Sequence, residues 1–104
     1  MTKALLIDPN TQSISQVELD QGLESIKALI GQSSIDSDEV GQDGDHLFFD
    51  EACFIRATAE SKRFKLDTLP PVAGVGVVVG QQADGGLKDT QLSPEMLKTR
   101  VRFS

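Results

Sequence analysis

Leu69-Pro-Pro-Val-Ala-Gly-Val-Gly-Val-Val-Val-Gly80 is the least polar stretch of the chain, and its reading decides how the remainder folds. Pro70 and Pro71 fix φ and remove two backbone donors, while Val75, Val77, Val78 and Val79 bring the stiff β-branched side chains of a buried strand. A central strand over 75–79 follows. Alternation then puts Val77 and Val79 on one face and Val78 on the other, with both faces covered. Gly74 and Gly76 are read as points of close backbone packing and Gly80 as a turn.

Upstream of this strand, Phe64 to Leu66 reads as a short extended piece, and residues 51–63 suit a strand or a single helical turn equally. His46 to Asp50 reads as a strand with Phe48 and Phe49 on opposite faces, entered through the hairpin-type turn Asp43-Gly44-Asp45. The polar run 32–44 predicts a weak strand broken by turns. Leu19, Leu23, Ile26 and Ile30 recur at helical spacing, which predicts a helix over 21–30 with Asp20 as N-cap and Gly31 as its left-handed stop. Lys3 to Asp8 and the alternating run from Ser13 to Leu19 read as a hairpin turned by Asp8-Pro9-Asn10.

Downstream, residues 81–90 carry Gly85-Gly86 and read as an exposed loop or hairpin tip. Ser93-Pro94-Glu95 is a helix start, with Ser at the cap, Pro at the first helical position and an acid in the first turn. Val101-Arg102-Phe103 returns as an edge strand. These elements give a single α+β domain over 1–104, a mostly antiparallel sheet of four to six strands with two short helices on one face.

A chain of 104 residues with 38% hydrophobic and 25% charged residues suits one domain, ~100 to 150 residues being the usual size. No apolar run approaches the ~20 residues of a membrane helix, and Asp8 interrupts the N-terminus too early for a signal-peptide core. A cytoplasmic protein is expected. Its single cysteine, Cys53, has no internal disulfide partner and reads as a small buried hydrophobe.

The net charge of −6 is unevenly spread. Residues 1–51 hold eleven acids against Lys3 and Lys27, for −9, and residues 52–104 hold five acids against eight bases, for +3. Acids Asp36, Asp38, Glu39, Asp43 and Asp45 therefore read either as solvated turns or as a face for a basic partner. Direct binding of nucleic acid is disfavoured, because phosphates need Lys and Arg. Lys62, Arg63 and Lys65, with Arg56 upstream, are the basic cluster, read either as a solvated strand edge or as a place for a phosphate or an acidic partner.

No catalytic, metal or cofactor motif emerges. Gly74-x-Gly76-x-x-x-Gly80 lacks the strand–turn–helix context of a dinucleotide fingerprint, because valines fill the gaps and a polar loop follows. A calcium loop starting at Asp36 fails at Val40 and Leu47, and His46 and Cys53 form no nucleophile–base arrangement by spacing.

Several segments together resemble a known family. Lys3-Ala-Leu-Leu-Ile-Asp-Pro9, Leu29-Ile-Gly31, Gly44-Asp45-x-Leu47-Phe-Phe-Asp-Glu51 and Pro70-x-x-Ala73-Gly74 leading into Val77-Val-Val-Gly80 are similar to an uncharacterised family, domain of unknown function thirty-eight forty-six. The helix through Leu97 and the closing Val101-Arg-Phe103 are also similar, so the likeness spans nearly the whole chain and is weakest over 53–65. Such domains occur in bacteriophages, plasmids and bacterial genomes. The resemblance implies an accessory protein of a mobile element, and it carries no catalytic residue.

The expectation is a non-catalytic accessory protein that binds a host protein or a small ligand, with homodimerisation left open. Its alternative is a small nucleotide- or phosphate-binding protein or enzyme that uses Gly74 to Gly80 with Lys62, Arg63 and Lys65.

Overall fold

A computed structural model describes residues 2–20, 22–40, 44–56, 61–67, 69–84 and 86–103. Two antiparallel sheets make the domain. The larger has six strands in the order β2-β1-β7-β4-β3, with β8 pairing β7 off that path. Its strands are β1 (Thr2–Asp8), β2 (Ser13–Leu19), β3 (Ile35–Val40), β4 (Asp45–Asp50), β7 (Gly76–Gln81) and β8 (Leu87–Lys88). The smaller, in the order β6-β5-β9, is built from β5 (Arg63–Leu66), β6 (Val72–Ala73) and β9 (Val101–Phe103). Helices α1 (Leu23–Ile30), α2 (Cys53–Arg56) and α3 (Pro94–Lys98) complete the described elements.

The valine strand lies where its sequence puts it. β7 inserts between the hairpins β1–β2 and β3–β4, pairing Val78 with Leu5 on one side and with Leu47 on the other. Val77, Val78 and Val79 are fully buried. Val78 packs with Leu5, Ile7, Leu47 and Phe49, whereas Val77 and Val79 pack on the other face with Ala4, Phe48 and Ile26. A strand buried on both faces needs apolar residues at consecutive positions rather than alternate ones, and 77–79 supplies them.

The α+β architecture holds, but the two longer helices lie on opposite faces of the large sheet rather than on one. Ile26 of α1 joins the cluster of Val77 and Val79, while Leu97 of α3 joins that of Val78. The smaller sheet shares the second face, through Phe64, Leu66, Val72 and Val101. With that face already covered, the crossover from β2 to β3 runs over the other.

Three local expectations also change. Helix α1 starts at Leu23, with Gly22 at its N-cap at φ 100° and no side-chain capping bond, so Asp20 is not the cap. Instead the Ser25 hydroxyl donates to the carbonyls of Asp20 and Gly22. Leu23 is exposed rather than core-facing. Gly80 makes no turn: it is buried inside β7, paired with Asp45, and a Cβ there would come within 2.9 Å of the Lys88 carbonyl oxygen and 3.0 Å of that of Asp89. Lys88 of β8, the ladder partner of Gly80, and Asp89 after it lie against Gly80, which is why no side chain fits.

Other signals read as they should. Ser93 caps α3 by accepting from the Met96 N–H at 3.2 Å, and Gly31 ends α1 at φ 81°. Among the described residues no helix is long and apolar enough to cross a membrane.

Candidate ligand-binding cleft

At the end of the large sheet where β1 and β4 leave and β7 enters, five separate parts of the chain border a cleft of about 270 Å³. The β1–β2 turn brings Asn10, the segment just past Gly31 brings Gln32, and the end of β4 with the start of α2 brings Asp50 and Cys53. Ser61 and Lys62 enter just before β5, and Ala73 at the end of β6 closes the wall with Gly74 after it.

Local hydrogen bonds shape this wall. The Asp8 carboxylate accepts the Asn10 N–H at 2.9 Å, an Asx turn that sets the loop. Asp50 is buried, and its Oδ1 accepts the Ala52 N–H at 3.0 Å as the chain turns into α2. The Gly74 N–H donates to the Lys62 carbonyl at 3.3 Å, tying two walls together. Gly74 does this at φ 99° with open space where a Cβ would be, so its role is conformational freedom rather than close packing.

The chemistry on offer is polar and of mixed sign. Lys62 is an exposed ammonium, Asp50 is a buried carboxylate, and Asn10, Gln32 and Ser61 add amide and hydroxyl groups that donate and accept. Cys53 lines the cleft as a buried thiol in a helix of four residues. His46 stands on the other side of β4, paired laterally with Glu39 and Val79, with its Nδ1 2.9 Å from the Gly44 carbonyl. Cys53 packs with the Val78 face and His46 shares the Val79 face, so the sheet separates them and no thiol–imidazole pair forms.

Of the residues singled out in the sequence, the cleft gathers Lys62 and Gly74. Gly76 is sealed beneath Phe64 and Leu47 inside β7, so of the glycine run only Gly74 borders the cleft. Arg63 and Lys65 point away from the core on β5, because Phe64 and Leu66 point into it. The acidic set also divides. Asp36 and Asp38 lie on one face of the edge strand β3 and Glu39 on the other, which is how edge strands carry charge to block unwanted pairing. Asp45 is no surface acid: it is buried, and its two oxygens accept the Gln91 N–H at 3.1 and 3.3 Å. Asp43 lies outside the described residues.

Asn10, Gln32, Asp50 and Ser61 escape sequence reasoning. Each sits in an ordinary turn or strand end, and only the fold brings them together. Among the described residues no group of three or more His, Cys, Asp or Glu side chains gathers to hold a metal ion. Comparison with protein-family models, with curated proteins and with solved structures found no match to this chain.

Proposed function

We propose that this chain is a non-catalytic accessory protein, of the phage- or plasmid-borne kind that its resemblance implies, which holds a small polar ligand in the cleft. The observation that carries this reading is the convergence of Lys62, Asp50, Asn10, Gln32 and Ser61 from separate chain segments on one cleft. A site of this kind fixes a ligand by a few placed polar groups. At about 270 Å³ the space suits a molecule smaller than a drug-sized ligand, whose pockets run from ~300 Å³ upward.

An ammonium and a carboxylate in one cleft are complementary to a ligand that carries both an anionic and a cationic group, such as a free amino acid. Action in the cytoplasm belongs to the same proposal. The test is a backbone amide chemical-shift titration with a panel of amino acids, nucleoside monophosphates and small sugars. Shifts at Asn10, Gln32, Ser61 and Gly74 for a zwitterionic compound support the reading. Shifts confined to β3, or none from any compound, contradict it.

A further inference from the structure

The outer face of the small sheet presents positive charge from two neighbouring strands. Register pairs Lys65 with Arg102 and Arg63 with Ala73; Ala73 packs against the core and borders the cleft, so the open part of that face is Lys65 and Arg102, with Arg63 at its boundary. Lys65 and Arg102 are exposed, and neither pairs with an acid among the described residues. Two cations directly opposite across an antiparallel pair repel each other. Nothing in the packing requires this, since Phe64, Leu66, Val101 and Phe103 fill the core side. The nearby Arg100 is already held by Asp67.

We infer that this face docks an extended acidic segment of a protein partner, on a site that adjoins the cleft at Ala73 and Arg63 and is centred away from it on Lys65 and Arg102. Residues i and i+2 of a strand stand about 6.6 Å apart on one face, so Arg63 and Lys65 repeat at the spacing of alternate carboxylates in an extended chain. Arg102 lies about 5 Å to the side of Lys65 across the strand pair. The guanidinium of Arg102 can take a carboxylate through two parallel hydrogen bonds, while Arg63, whose Nη1 donates to the Ser61 carbonyl at 3.0 Å, adds its positive charge. Alternating acids fit this arrangement. Charge also selects the class of partner. The chain carries −6 overall and −9 in residues 1–51, which repels a long polyanion such as nucleic acid, whereas a short acidic segment feels the local field of the strip.

Fluorescence anisotropy tests the proposal with three labelled probes: a peptide of alternating Glu and Thr, a block peptide of the same composition, and single-stranded oligothymidylate. Titrations run at about 0.01 M and 0.1 M salt, where charges are screened over about 30 and 10 Å. The alternating peptide is expected to bind best and to weaken with salt. Lys65→Gln with Arg102→Gln, both at exposed positions, is expected to weaken it about tenfold or more while the thermal midpoint holds or rises, the cross-strand repulsion being gone. Absence of binding by the alternating peptide overturns the proposal, as does equal affinity for the block peptide or unchanged affinity in the double variant. Tighter binding of the oligonucleotide assigns the face to nucleic acid instead. Sedimentation of the protein alone adds the remaining arm: self-association lost in the double variant assigns the face to a second copy of the chain and overturns the inference.

Discussion

The ring of Phe64 fills the space that a side chain at position 76 would need, since a Cβ on Gly76 would come within 2.5 Å of Phe64 Cζ. The same Cβ would meet Leu47 Cδ1 at 2.9 Å, so the small sheet and the large sheet close on each other at this glycine. Gly76→Ala should destabilise the fold by about 1–3 kcal/mol, the usual cost of overpacking. In a Phe64→Leu background the penalty should shrink, because the atom in the way is gone. A double-mutant cycle by chemical denaturation measures the coupling. An equal penalty in both backgrounds would show that the two sheets do not meet there.

The acids of the N-terminal half should behave as two populations. Asp45 holds the Gln91 N–H, so Asp45→Ala should cost about 1–3 kcal/mol by leaving a part-buried donor without its partner. Asp36→Asn, Asp38→Asn and Glu39→Gln at the sheet edge should each change stability by about 0.5 kcal/mol or less. Denaturation midpoints at constant slope separate the two groups, and a cost at Asp36 or Asp38 matching that at Asp45 would contradict the placement of β3.

How much of this was legible in the sequence depends on whether the signal was local. The valine run, the hairpins, the stop at Gly31 and the cap at Ser93 each act over a few residues, and each reads correctly. The small sheet is not local. Its β6 has two residues, and Phe64 pairs with Phe103 across most of the C-terminal half, with no periodicity to announce it. Asp45 looks like its acidic neighbours in composition but differs in what crosses above it. The cleft is hardest of all, because Asn10, Gln32, Asp50 and Ser61 are unremarkable until the sheet brings them to one end.

A weak pH dependence should come from Asp67 and Arg100. The Arg100 guanidinium donates through Nε to both oxygens of Asp67 at 3.0 and 3.1 Å and through Nη2 to Oδ2. These bonds hold the Asp67 carboxyl below its ordinary value, against the opposing effect of desolvation and with a further contribution from the positive charge, and they raise that of Arg100. A depressed carboxylate contributes stability above its unfolded value of about 3.9 and loses it as pH falls through the folded value. Because both side chains are partly exposed, the contribution is about 1 kcal/mol or less. Asp67→Asn tolerates the positive φ of 51° while removing the charge. It should therefore be less stable than wild type at neutral pH and converge with it as pH falls through the lowered folded-state value. A constant difference across that range would mean that the backbone, not the ion pair, sets the effect.

The most direct test of the central claim is calorimetric titration of the best zwitterionic ligand into wild type and three variants, Lys62→Ala, Asn10→Ala and Lys65→Ala. Lys62 and Asn10 line the cleft and Lys65 does not. Removing one placed charge or polar partner should weaken binding about tenfold or more, the equivalent of about 1.4 kcal/mol, while Lys65→Ala leaves the affinity unchanged. Equal affinity in wild type, Lys62→Ala and Asn10→Ala, or a loss confined to Lys65→Ala, would place the ligand elsewhere and contradict the account.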